Sequence, residues 1–176
     1  AGKENIEEKN FVKETQLDTH LEILFPDYNI NNITERLILY TQLNRVSSEE
    51  ELQKFDAERV DRFGELPIEA VDLLNSVRIK WIASKIGLEK VLLKQGKMIG
   101  YFIADQQSRF YQTNNFTRVL QYVQTHPQTC KMKEKQTRNG LRLLLTFENI
   151  NSIAKALKVL EPLDLRKEKD VTPQDS

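Results

Sequence analysis

Apolar residues three and four positions apart predict three consecutive helices in the first half of the chain. The first helix follows a possible N-cap at Asn32, with Glu35 three residues later as in a capping box. Its apolar stripe is formed by Ile33, Leu37, Tyr40 and Leu43.

Capping residues mark the second and third helices. Ser47 and Ser48 each precede a glutamate by three residues, and Gly64 ends the second helix. Pro67 stands where a first helical residue should, and Gly87 ends the third helix. The apolar stripe of the second helix is Leu52, Phe55, Val60 and Phe63, and that of the third is Val71, Leu74, Val77 and Trp81. We expect the core to include Phe55, Phe63, Leu74, Val77 and Trp81.

Extended segments dominate elsewhere. A short strand is predicted at residues 17–25, and residues 91–93, 98–104 and 109–112 predict an antiparallel meander. Asn114 or Asn115 caps a helix over residues 116–124. Strands at 130–135 and 141–147 flank Asn139-Gly140, a strong hairpin signal, and residues 150–160 form the last helix.

These elements predict an α+β fold, in which three consecutive N-terminal helices pack on a mostly antiparallel sheet and two further helices follow. The chain has 176 residues, a length typical of one domain. Residues 14–162 form the predicted domain. Residues 1–13 are a polar lead-in, and residues 163–176 are too polar to order themselves and are predicted to be a disordered tail.

The charge is balanced overall but unevenly distributed. The chain has 26 basic and 26 acidic residues, yet its first half carries about −6 and its second half about +6. This asymmetry favours docking to a partner over general binding to polyanions. The longest apolar runs are too short to span a membrane, and a single cysteine, Cys130, fits a reducing cytoplasm.

No motif for catalysis, cofactor binding or metal binding is present in the sequence. Gly96-Lys97 is followed by Met98, so the Ser or Thr of a phosphate-binding loop is missing. His126 and Cys130 are four residues apart, but a zinc site needs two more ligands. We therefore expect no enzyme activity, no small-molecule substrate and no cofactor in this chain.

Two charged segments are candidate binding surfaces. The hairpin at residues 131–142 carries Lys131, Lys133, Lys135, Arg138 and Arg142. It is either a weak nucleic-acid contact or a sheet edge protected by lysines.

The second helix provides the other surface. Glu51, Glu58 and Asp61 project from one side of it, opposite the apolar stripe, and residues 47–72 contain nine acidic and three basic side chains. This is either a solvated face or a docking surface.

Several motifs resemble the C-terminal domain of bacterial transcription-repair coupling factors. The most specific is the string Asp-Arg-Phe-Gly-Glu-Leu-Pro at residues 61–67. Phe25-Pro26-Asp27, Arg36-Leu37 and the segment at residues 86–91 add to it. The resemblance extends over roughly residues 15–160.

The resemblance implies a noncatalytic regulatory module of a DNA translocase that removes stalled RNA polymerase and recruits excision repair. Such a module folds back on the UvrA-binding module of the same protein and masks it. ATP, magnesium and DNA would be bound by other parts of the parent. Glu58 and Asp61, with Glu51 and Glu65 nearby, are implied partners for arginines of the UvrA-binding module. The alternative is an accessory domain that binds nucleic acid through the basic hairpin.

Overall fold

A computed structural model describes residues 11–21, 33–64 and 68–164, and for residues 63 and 68–70 it describes the backbone only. In this part the chain forms five helices and a five-stranded sheet, which confirms the α+β class and the order of the helices. The chain divides into two compact units, one comprising Ala1–Leu21 and Val77–Ser176 and the other Glu22–Ser76.

Helix α1, Ile33–Arg45, lies in the second of these units and buries a different face from the predicted one. Ile33 and Leu37 are 65% and 61% exposed, whereas Leu39 and Leu43 are buried. The predicted stripe was therefore wrong at its first two positions. Apolar residues occur on several sides of this helix, so spacing alone fits more than one face and packing decides which is buried. The predicted cap, Asn32, lies outside the described residues.

Helix α2, Glu49–Phe63, is capped as predicted, because the Ser48 hydroxyl accepts a hydrogen bond from the Glu51 amide at 3.2 Å. Leu52 and Phe55 are buried, as the pattern predicts. Val60 is only half-buried, and the neighbouring position, Arg59, lies in the core instead. The helix ends at Gly64, whose amide donates to the Val60 carbonyl at 2.8 Å.

Helix α3, Ile68–Lys85, is rotated relative to its predicted stripe. Leu74 is buried, but Val77 and Trp81 are half-buried. The most buried face is Ile79, Ile82, Ala83 and, just past the helix, Ile86. These four positions also follow helical spacing, so periodicity alone does not distinguish the two faces. The predicted first residue, Pro67, and the side chain of Phe63 lie outside the described part.

Five strands form one sheet in the order β1-β2-β3-β5-β4. The strands are β1 Gln16–Thr19, β2 Leu88–Lys94, β3 Lys97–Phe102, β4 Lys131–Thr137 and β5 Gly140–Glu148. Only β1 and β2 pair in parallel, and the other neighbours are antiparallel. The predicted hairpin is confirmed, with Arg138-Asn139 as its turn. The first strand ends before residues 22–25, which lie outside the described part.

The segment predicted as a third meander strand is instead a 3-10 helix, Arg109–Gln112. Its fold depends on Phe110, whose ring lies 5.5 Å from that of Phe116 and 6.5 Å from that of Phe102. The Ser108 hydroxyl accepts from the Phe110 amide at 3.2 Å, which starts the turn. Anchoring one aromatic side chain in the core favours this compact turn over an extended strand.

Two further helices follow, as predicted, with different caps. Helix α4, Asn114–Thr125, is capped by Thr113, whose hydroxyl accepts from the Phe116 amide at 3.3 Å. Helix α5, Ile153–Leu160, begins three residues later than predicted because Ser152 caps it. Neither Asn114 nor Asn115 is the cap of α4.

Both predicted tails contain residues that pack in the fold. Val12 is buried, and the Phe11 ring lies 5.9 Å from that of Phe110. At the other end Leu163 closes a 3-10 turn, Glu161–Leu163, and both Leu163 and Asp164 are buried. Packed residues therefore occur as early as Phe11 and as late as Asp164. Residues 1–10 and 165–176 lie outside the described part.

The turn at Gly87 should be intolerant of any side chain. Gly87 has φ +86°, and a Cβ there would overlap the Phe110 ring. We expect Gly87→Ala to lower the free energy of unfolding by about 3 kcal/mol, from backbone strain and overpacking together. Gly140→Ala is the matched control, because φ is +111° but no atom lies within 4 Å of the added carbon. Urea unfolding measures both variants, and equal losses would show that the contact with Phe110 is unimportant.

Candidate protein-interaction site

Two acidic side chains in the C-terminal half of α2 are exposed and have no partner among the described residues. Glu58 and Asp61 make no ion pair or hydrogen bond with any described residue. They stand one turn apart, and the α2 backbone fixes their spacing. The two carboxylates are therefore free to receive cations from outside.

Glu51, which the sequence groups with these acids, has a local structural role. Its carboxylate accepts a hydrogen bond from the Ser47 hydroxyl at 3.1 Å, and its amide is held by the Ser48 cap. Glu51 lies in the first helical turn, where the helix dipole favours negative charge. Glu65 lies outside the described residues. Among the described acids of the predicted site, Glu58 and Asp61 are therefore the two without a local contact.

The position of Asp61 on α2 is electrostatically unfavourable. It lies in the last turn of the helix, where the dipole favours cations rather than anions, and Glu58 lies one turn before it. Arg62 supplies a cation in the last turn, but its Nη2 atom pairs with Oε1 of Glu35 at 3.1 Å, which joins α2 to α1. Helix stability does not explain why two unpaired acids stand here.

Arg59 lies between these two acids in sequence but points into the core. Its side chain is fully buried, and Nη2 lies 3.6 Å from Oδ1 of Asp56. None of its three guanidinium nitrogens has a hydrogen-bond partner. Burial lowers the pKa of Arg59, and the Asp56 carboxylate partly opposes this effect. The sequence pattern gave no sign of this buried charge, because arginine at this spacing is normally on the surface.

The basic hairpin residues do not all form one surface. Lys131, Lys133 and Lys135 are exposed and project from the same face of β4. Arg138 lies in the turn. Arg142 is already paired within the sheet. Its Nη2 atom lies 2.7 Å from Oε1 of Glu89, and its Nε donates a hydrogen bond to the Phe102 carbonyl at 2.9 Å.

The segment around the single cysteine shows no arrangement for catalysis. The His126 ring stacks on that of Tyr122, with centroids 3.9 Å apart, and its Nδ1 lies 2.9 Å from the Tyr122 carbonyl oxygen. Cys130 is buried, and this burial raises the pKa of its thiol to about 11. Over the described ranges, no three His, Cys, Asp or Glu residues group as metal ligands, and no helix is long and apolar enough to cross a membrane.

The TRCF domain family model matches residues 19–113, more than half of the chain. The chain belongs to the TRCF domain family. The match includes α1, α2 and α3, and therefore Glu58, Asp61 and Arg59. It ends before the basic hairpin, so the family match extends over the acidic site and leaves the hairpin outside.

Relatives of this TRCF domain are transcription-repair-coupling factors. The protein of that name from Rickettsia typhi is 30% identical over 156 residues, which is 88% of this chain and 13% of the relative. That from Escherichia coli K12 is 33% identical over 91 residues, 52% of this chain and 8% of the relative. The chain thus spans only a small part of these proteins.

The fold of this TRCF domain is also that of a solved structure. The crystal structure of the C-terminal domain of a transcription-repair coupling factor superposes with a TM-score of 0.64, at 17% identity. The match covers 90% of this chain and 98% of the other. At this coverage the similarity of fold extends beyond residue 113.

Replacing the buried pair of Arg59 and Asp56 by apolar side chains should not destabilise the domain. We expect Arg59→Met with Asp56→Ala to raise the free energy of unfolding by about 1 kcal/mol, because this change removes both charges of a desolvated pair, whereas Arg59→Met alone would leave a buried Asp56 oxygen without its cation. Lys54→Met, at an exposed position of the same helix, is the control and should change stability by less than about 0.5 kcal/mol. A clear loss of stability in the double variant, measured by urea unfolding, would contradict this account.

Cys130 should be nearly unreactive in the folded protein. With a pKa of about 11, only about one thiol in a thousand is ionised near pH 8. We expect Ellman's reagent to react at least about 100-fold more slowly with the folded chain than with the urea-unfolded chain. The folded-state rate should rise as the pH approaches 11, and equal rates in both states would contradict the burial of this thiol.

Proposed function

We propose that this chain is a noncatalytic regulatory domain of a transcription-repair coupling factor. In this proposal the parent is an ATP-dependent DNA translocase that removes stalled RNA polymerase and recruits excision repair. The domain folds back on the UvrA-binding module of the same protein and masks it until the motor engages. Family membership and the fold support the assignment to such a factor.

The observation that carries the masking role is the pair of unpaired carboxylates, Glu58 and Asp61. Both are exposed on a capped helix. Asp61 begins the most specific family motif, and Glu58 lies three residues before it. Arginines of the UvrA-binding module are their proposed partners. A carboxylate accepts two parallel hydrogen bonds from a guanidinium, so such a contact is directional as well as electrostatic.

The same geometry makes the contact releasable. Asp61 lies in the last turn of α2, where the helix dipole opposes its negative charge, and an incoming cation relieves this repulsion. Because the carboxylates are exposed, water replaces the partner when the modules separate, which keeps the contact from becoming permanent. A regulatory mask requires this combination of specific binding and low total affinity.

Reversing both charges in the full-length parent should expose the UvrA-binding surface. We expect Glu58→Lys with Asp61→Lys to raise UvrA affinity about tenfold in the absence of DNA and polymerase, within the usual range of coupling between sites. The isolated domain should keep its melting temperature or gain slightly, since lysine suits the C-terminal half of a helix. Fluorescence anisotropy with labelled UvrA measures the affinity.

The charge-matched control reverses two exposed acids outside α2, Glu14→Lys with Glu134→Lys. This variant has the same net charge and should bind UvrA as the wild type does. An affinity that rises equally in both variants would assign the effect to net charge. An affinity that stays at the wild-type level in both would show that Glu58 and Asp61 form only a solvated face.

A further inference from the structure

The pairing register shows that one face of the sheet collects cations from four strands. Over β2, β3 and β5 the opposite face is mainly apolar and buried, and it includes Val91, Met98, Phe102, Leu145 and Phe147. Because side chains alternate along a strand, the residues between them project from the other side. We call this side the outer face, and its basic residues are Lys90, Lys94, Lys97, Lys131, Lys133, Lys135 and Arg142.

Three of the seven cations are neutralised. Nζ of Lys94 lies 3.7 Å from Asp18, Nζ of Lys97 lies 4.0 Å from Glu148, and Arg142 pairs with Glu89. The other four, Lys90, Lys131, Lys133 and Lys135, have no carboxylate partner in the described part of the chain. The outer face therefore carries four uncompensated positive charges.

These four charges have a regular arrangement. Lys133, Leu144, Tyr101 and Lys90 are successive cross-strand partners, so they form one row across β4, β5, β3 and β2. The row spans about 14 Å, and the three β4 lysines extend about 13 Å along the edge strand. Lys90 and Arg142 lie 5.7 Å and 5.5 Å from the Tyr101 ring centroid, which fixes the ring between two cations.

We propose that the outer face binds the phosphate backbone of a nucleic acid. Edge protection accounts for lysines on β4, but Lys90 lies on an interior strand that has neighbours on both sides. A protein partner is disfavoured because lysine is depleted from the centres of protein interfaces, where aromatic side chains and arginine predominate. A chain of phosphates is matched by spaced, flexible ammonium groups that need no fixed hydrogen-bond geometry.

Binding of the 176-residue chain to fluorescent DNA tests this proposal. The probes are a single strand of about 20 nucleotides and its duplex, at about 50 mM and 200 mM NaCl. Four phosphate contacts predict that duplex affinity falls about 150-fold between these salt concentrations, with a smaller fall for the single strand. The two probes show which form of nucleic acid the face prefers.

Two variants locate the binding surface. Lys133→Glu with Lys135→Glu should weaken binding at least about tenfold at low salt. Lys90→Gln should lower the slope of log affinity against log salt concentration by about the amount that one phosphate contact contributes. The matched control, Lys155→Glu with Lys158→Glu, makes the same change in net charge at exposed positions of α5 and should have a much smaller effect. All of these residues are on the surface, and circular dichroism checks that each variant is folded.

Three results would overturn the proposal. The first is no binding of the wild-type chain at low salt. The second is an equal loss of affinity in the α5 control, which would assign binding to net charge. The third is displacement of DNA by polyglutamate of the same charge and at the same concentration, which would show a surface for acidic polypeptides.

Discussion

The contact between Gly87 and the Phe110 ring holds together the unit that contains the sheet. Gly87 follows α3 and precedes β2, and the Phe110 ring occupies the space that a side chain at Gly87 would need. The Gly87 carbonyl accepts a hydrogen bond from the Ile103 amide at 3.1 Å, just past the end of β3. One close approach of the backbone to an aromatic ring therefore joins three element ends. These are the end of α3, the start of β2 and the end of β3.

The sequence predicted elements better than faces. Capping residues and the hairpin signal at Asn139-Gly140 act locally, so the helices and the hairpin are predicted close to their observed positions. Which side of α1 or α3 is buried depends on packing between distant segments, and apolar residues such as Ile33 and Leu37 fit more than one face. Residues 109–112 were misassigned for a similar reason, because only the folded core shows where Phe110 packs.

The residues of the candidate sites also fall into two groups, those that local helical geometry predicts and those that only the tertiary structure brings together. Glu58 and Asp61 could be placed from helical geometry alone, because both lie on one predicted helix. The burial of Arg59, the pairing of Arg142 with Glu89 and the position of Lys90 beside Tyr101 each depend on tertiary structure or strand register. The sequence therefore assigns Arg142 to the basic surface although it is paired with Glu89, and gives no sign of Lys90, which has no carboxylate partner in the described part of the chain.

The two-residue turn of the β4–β5 hairpin determines the chemical character of a whole surface. Side chains alternate along β4, so its register decides whether Lys131, Lys133 and Lys135 or Met132, Glu134 and Gln136 project from the outer face. Inserting one residue at this turn would exchange these two sets without altering the composition of the chain. Related domains that differ in the length of this loop can therefore carry opposite charges on the same surface while keeping nearly the same sequence.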